Sequence, residues 1–281
     1  NIDGRKRLQT RMTLRLFFHL ISIESRRLFS YRVDFWITMF VNLAVQLVVL
    51  WALWTAVFAE SGKELVGEWD LTGILSYGVM VFLTGRVVRG GDLQMAVASE
   101  IYDGSLSRYL LYPLHYGVAK YAQQLGNVFP NILQSIVMAA CILPFMGSSS
   151  SVDLHVTGLL MCMPSLILAH LLFYIMGLLP QLVAFWADNV WSLSVLMRFI
   201  TMLLGGATIP LSLFPEWSQG ALAILPFRYL FEFPTLVILG KVSVNDWLTG
   251  LLTCAVWCVV MSLLVIPVWR RGNLRYTGVG I

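Results

Sequence analysis

The stretch FWITMFVNLAVQLVVLWALWTAVFA, residues 35–59, decides the fold, because it carries no charge between Asp34 and Glu60. A bilayer core is about 30 Å thick and takes about 20 apolar residues of helix to cross. Within lipid every backbone N–H and C=O must be paired inside the segment, so a helix is the reading. The run follows a long basic region and exceeds the apolar core of about 7–15 residues in a cleaved signal peptide. It reads as a retained span.

Working outward, five further runs fit the same template: 71–88, 122–146, 154–179, 190–209 and 247–269. The second is the weakest, with Gly73, Gly78 and Gly85 inside it. A β-barrel would show alternating segments of about ten residues instead. Composition agrees: 58% hydrophobic residues, 12% charged and four cysteines in 281 residues. That excludes a soluble globular enzyme, a disordered chain and a disulfide scaffold. The expected architecture is a single all-α polytopic domain over residues 1–281 with six transmembrane helices.

Lys and Arg set the orientation. Eight lie before the first span: Arg5, Lys6, Arg7, Arg11, Arg15, Arg26, Arg27 and Arg32. With both termini cytoplasmic, 15 fall inside, 3 (Lys63, Arg228, Lys241) fall outside, and Arg198 stays unassigned within the fifth span. This count places Arg86 and Arg89 in the loop after the second span.

Residues 12–33 read as an amphipathic interfacial helix, with Leu14, Phe17, Phe18, Ile21 and Leu28 apolar and Arg11, Arg15, Ser22 and Arg26 opposite. The cytoplasmic loop 91–121 holds a short helix between Asp92 as N-cap and Gly104 as C′ residue, with about 11 helical residues, too few to span. Ser105 is positioned to cap a second one that ends before Pro113. The outer segment 210–246 is cut by Pro210, Pro215, Pro226 and Pro234. Its pieces, such as 221–225 and 230–239, suit broken re-entrant helices that cap a central space.

Ionisable residues inside the spans are nearly absent. Amides are not: Asn42 and Gln46 share a face of the first span, and Asn127, Asn131 and Gln134 a face of the third. Such amides either hydrogen-bond between helices or line a translocation path. No G-x-x-x-x-G-K-[ST] or H-E-x-x-H motif occurs, and Cys141, Cys162, Cys254 and Cys258 all lie in apolar runs. The chain reads as a transport subunit without its own engine.

Two stretches carry a resemblance: IYDGSLSRYLLYPL at 101–114 and GGATIPLSLFPEWSQGALAILPFRYLFEFPTLVILGK at 205–241. Together with the six-span layout they are similar to the membrane subunits of ABC-2 type transporters. One departure is Tyr112, where many relatives have a basic residue before the Pro.

The resemblance implies a permease of an ATP-driven ABC transporter, working by alternating access and mostly an exporter, here of a hydrophobic or amphipathic substrate. It implies a separate ATP-binding subunit that holds ATP and Mg, with no cofactor and no catalysis in this chain. It also implies a second permease chain, identical or related. Gln94, Glu100, Tyr102, Asp103 and Arg108 become the candidates for ATPase coupling. Asn42, Gln46, Asn127, Asn131 and Gln134 become those for the path, and Pro210, Phe214, Pro215, Pro226 and Phe227 those for an outer gate. The expected setting is the plasma (inner) membrane of a bacterium, within the lipid bilayer and without nucleic acid. The competing readings are an ABC importer permease, a non-ABC transporter, and a membrane-embedded enzyme or scaffold. Gly220 and Leu225–Pro226 faintly mimic the importer motif, yet the charge count places them outside.

Overall fold

The computed structural model describes residues 2–91, 95–142 and 156–277. Most of these residues are helical, and the one β feature among them is an isolated bridge between Val66 and Trp69. In chain order the helices are α1 (Ile2–Ser30), α2 (Arg32–Ser61), α3 (Leu71–Arg89), α4 (Ala96–Tyr102), α5 (Leu106–Leu110), α6 (Tyr116–Ile142), α7 (Val156–Leu182), α8 (Trp191–Leu204), α9 (Glu216–Ile224), α10 (Glu232–Ile238) and α11 (Val244–Arg275). Short 3₁₀ turns sit at Val183–Phe185, Leu211–Leu213 and Pro226–Tyr229.

Among the described residues, five helices are long and apolar enough to cross a membrane: α2, α3, α6, α7 and α11. The expected span at 190–209 is the 14-residue helix α8, about 21 Å long at 1.5 Å per residue. Among the described residues the count by length is therefore five, where six were expected. The physical reason lies in Gly205–Gly206. Gly206 takes φ +76°, which ends the helix. The chain then turns under α10, where the Glu232 N–H bonds the Gly205 carbonyl at 3.0 Å.

The span read as the weakest from its glycines is the centre of the molecule. In α3, 72% of the apolar window is buried, against 17% in α2 and 11% in α11. α3 packs against α2, α6, α7 and α10. A helix surrounded by protein needs small residues for close approach more than lipid-facing bulk. This is why its glycines weakened the sequence signal. Arg86 and Arg89 also prove to be part of this helix rather than of the loop after it.

The interfacial helix expected at 12–33 is longer. α1 runs from Ile2 to Ser30 and a single turn residue, Tyr31, separates it from α2. α1 lies along α6. Gly126 makes the contact possible, since a Cβ there would meet Glu24 Cβ at 2.6 Å and the Ile21 carbonyl at 2.7 Å. Ser25 Oγ donates to the Gly126 carbonyl at 2.6 Å. The packed side uses Phe17, Leu20, Ile21 and Leu28, whereas Leu14 and Phe18 stay exposed. The apolar face expected from spacing is thus split between α6 and the surroundings.

Candidate functional site

The site is the base of the bundle, where α4 and α5 join the long helices. Gly104 takes φ +76°, in keeping with its reading as a C′ residue. α4 has seven residues rather than about 11, and Asp92 and Gln94 lie outside the described residues. Ser105 stands at the N-cap of α5, but its side chain makes no capping bond. Instead its backbone N–H donates to Asp103 Oδ1 at 2.9 Å. That bond and the Ser105 hydroxyl hold the exposed Asp103 carboxyl below the usual range.

Of the predicted coupling residues, Glu100 and Tyr102 face inward. Glu100 forms an ion pair with Lys120 of α6 and accepts from Tyr116 Oη at 2.6 Å. The Lys120 ammonium sits 4.5 Å from the centroid of the Tyr109 ring. Tyr116 in turn stacks flat on Trp269 of α11, with centroids 4.9 Å apart. Tyr102 Oη donates to the Ala187 carbonyl at 3.0 Å, and burial pushes its phenol above the usual value. The Val97 N–H donates to Gln181 Oε1 of α7 at 3.0 Å, and Tyr276 Oη to the Gly104 carbonyl at 2.6 Å. α4 is fastened in this way to α6, α7 and the residues after α11. What faces outward is Ser99, Asp103 and Arg108, followed by Leu110, Leu111 and Tyr112. Leu111 is 85% exposed, and the sequence reading passed over it.

The amides of the third span serve α3. A helix leaves its last four carbonyls without intrahelical partners. Here Gln124 Nε2 bonds the Arg89 carbonyl at 2.9 Å, Asn131 Nδ2 bonds that of Gly90, and a ring nitrogen of His170 lies 2.9 Å from that of Val88. Arg86 donates to Gln134 Oε1 at 2.6 Å and to Asn131 Oδ1 at 3.3 Å. Gln134 Nε2 donates to the Phe35 carbonyl at 2.8 Å. Asn127 packs on Gly91, where a Cβ would fall 2.1 Å from its Nδ2. Asn42 and Gln46 are not brought to these residues: Asn42 is exposed on α2 and Gln46 half-buried.

At the other end the expected piece 221–225 overlaps the last turn of α9, and 230–239 contains α10. Pro210 and Pro226 are buried, Phe214 and Phe227 half-buried, and Pro215 exposed. The sequence reading counted Arg228 and Lys241 as outer charges but missed their partners. Glu232 accepts from the Leu211 N–H at 2.7 Å and pairs with Arg228 Nε at 3.1 Å. The Lys241 ammonium lies 3.6 Å from the Trp69 ring centroid. These four side chains line a cavity of about 280 Å³. The signal available in sequence was Arg228 and Glu232 at i, i+4.

No metal-binding cluster of His, Cys, Asp and Glu occurs among the described residues. No curated protein and no solved structure matches the chain. A family model described as ABC-2 family transporter protein matches residues 40–280. With that match over most of its length, and with five helices fit to cross a membrane, the chain belongs to the ABC-2 family of transporter proteins and is a multi-pass membrane permease.

Proposed function

We propose that the chain is the membrane half of an ATP-driven exporter of a hydrophobic or amphipathic substrate. ATP and Mg belong to a partner ATPase, and two permease chains, identical or related, form the conduit in a bacterial plasma membrane. Both termini are cytoplasmic in this reading. That requires α8 and the segment 205–210 to make the sixth crossing.

The observation that carries the reading is the anchoring of α4. A short helix bonded to α6 and α7, with the turn after it bonded to Tyr276, moves them when it moves. ATPase closure on the outward side chains Asp103, Arg108 and Leu111 would displace α4, and the Glu100–Lys120 pair would carry the displacement into α6. The outer pieces around Pro210 and Pro226 would then part. Asn42 and Gln46, on the open side of α2, are the amides left to line a path against a second chain. A ligand biases such an equilibrium only by its differential affinity for the two states.

The test is purification of the tagged chain in mild detergent with identification of its companions. A P-loop ATPase in equal amount supports the reading, and the number of distinct membrane chains separates homodimer from heterodimer. A chain that emerges alone from several detergents overturns it.

A further inference from the structure

Three polar side chains along α3 are each bonded to the outer segment 205–241. Trp69 stands just before the helix, held there by its bridge to Val66. Its indole N–H donates to Ser212 Oγ at 2.9 Å. The buried Tyr77 donates to the Gly206 carbonyl at 2.6 Å. Thr84, on the same side of the helix as Tyr77, has its hydroxyl 2.8 Å from that of Thr235 in α10. The Trp69 and Tyr77 rings touch, with centroids 5.3 Å apart, and Lys241 covers the indole. This row therefore meets the segment near its start, within α10 and at its end.

α3 has a second polar seam, toward α6, and it is built differently. There the Arg86 guanidinium is held by Gln134 and Asn131, while Asn131 and Gln124 bond the carbonyls of Gly90 and Arg89. Parting that seam strands a guanidinium and three amides in apolar surroundings, which is costly. The seam toward the outer segment has a fallback at its deepest point. Thr84 Oγ1 also reaches the Met80 carbonyl at 2.9 Å, and Thr235 Oγ1 the Phe231 carbonyl at 2.7 Å. Once parted, each hydroxyl keeps a bond within its own helix. Trp69 and Tyr77 stand nearer the end that the charge count places outside, where water can take over their bonds and that of the Gly206 carbonyl.

We propose that the outer segment opens by parting from α3 along this row while α3 stays with α6. Trp69, Tyr77 and Thr84 are then positioning residues that hold the closed state. The inference rests on the permease reading and names the seam by which the outer side opens.

The test uses the full chain alone in phosphatidylcholine nanodiscs, so its first two results do not depend on a partner ATPase. Thr84→Cys with Thr235→Cys, oxidised by iodine, should join α3 to α10, the two thiols giving up two protons and two electrons. The hydroxyls they replace are 2.8 Å apart, within the reach of a disulfide. Oxidised Thr84→Cys alone controls for the four native cysteines. Absence of the cross-link overturns the contact. Thr235→Cys by itself reports opening, because position 235 is buried and aminoethyl methanethiosulfonate reacts from water. Adding Tyr77→Phe should raise its labelling rate about tenfold, as loss of one buried hydrogen bond implies. Where Tyr77→Phe lowers the melting temperature, Ser212→Ala, at an exposed serine, takes its place. Unchanged labelling overturns the seam. With the ATPase bound, the oxidised double-cysteine protein should lose ATP turnover several-fold and regain it with dithiothreitol. Turnover indifferent to the cross-link shows a fixed contact and overturns the proposal. A chain without an ATPase fails the permease reading, while cross-linking and labelling still decide the seam.

Discussion

Lys120 of α6 and Glu100 of α4 form an ion pair sealed from solvent, with the two side chains only 4% and 15% exposed. The acid that the resemblance offered as an ATPase contact is paired inside the protein. A buried pair contributes little over an apolar contact, yet leaving one partner alone is strongly destabilising.

Removing one partner should separate stability from rescue. Lys120→Met leaves the largely buried Glu100 without its partner, and should destabilise the base of the bundle by about 3–5 kcal/mol. Lys120→Met with Glu100→Gln should recover much of that loss. Melting of the single and double variants checks this, and equal melting of the two would contradict the pairing. ATP-driven transport should stay uncoupled in the double variant, because the charged link is gone.

The outward face of α5 should behave in the opposite way. Leu111→Asp changes a side chain that is 85% exposed, so the melting temperature should hold within the usual surface range of about ±0.5 kcal/mol. Retention of the ATPase in pull-down should fall several-fold. Undiminished retention would move the docking surface elsewhere.

Gly126→Leu tests the seat of α1. Its Cβ would meet Glu24 Cβ at 2.6 Å and the Ile21 carbonyl at 2.7 Å. Overpacking of this kind costs about 1–3 kcal/mol. The expected readout is lower melting together with faster proteolysis within α1. Unchanged proteolysis would show that α1 is not held by this contact.

The outer pieces should respond to pH through Glu232. Burial holds its carboxyl above the ordinary 4.5, against the lowering by the Leu211 N–H and Arg228. A raised carboxyl favours the protonated form in the folded protein, so stability should fall as pH rises from 4.5 through the raised value. Hydrogen exchange of Leu211 is the measurement. Glu232→Gln should flatten the dependence, and a slope of the opposite sign would refute it.

The long helices were legible within a few residues because length and apolarity are properties of the chain itself. The expected 71–88 and 154–179 became Leu71–Arg89 and Val156–Leu182. The expected 122–146 begins earlier, at Tyr116, because Lys120 breaks the apolar run in sequence while Glu100 and Tyr109 neutralise and cover it in space. The broken outer segment was legible from its prolines. The Glu100–Lys120 pair and the Trp69–Lys241 contact were not. Their partners come from separate elements or depend on which face is buried, and periodicity names a face without naming its neighbour.

By itself the sequence determined that this is a helical membrane protein of transporter type without a phosphate-binding loop. In lipid an unpaired backbone forces helices, and their apolar lengths are written in the chain. Only the tertiary structure decided what the polar residues do. Asn131 and Gln124 bond the carbonyl end of α3, Glu100 turns inward to Lys120, and Arg198 lines a cleft with Trp191 and Ser194. The energy of a polar group inside a membrane depends on its partner, and its partner is set by packing.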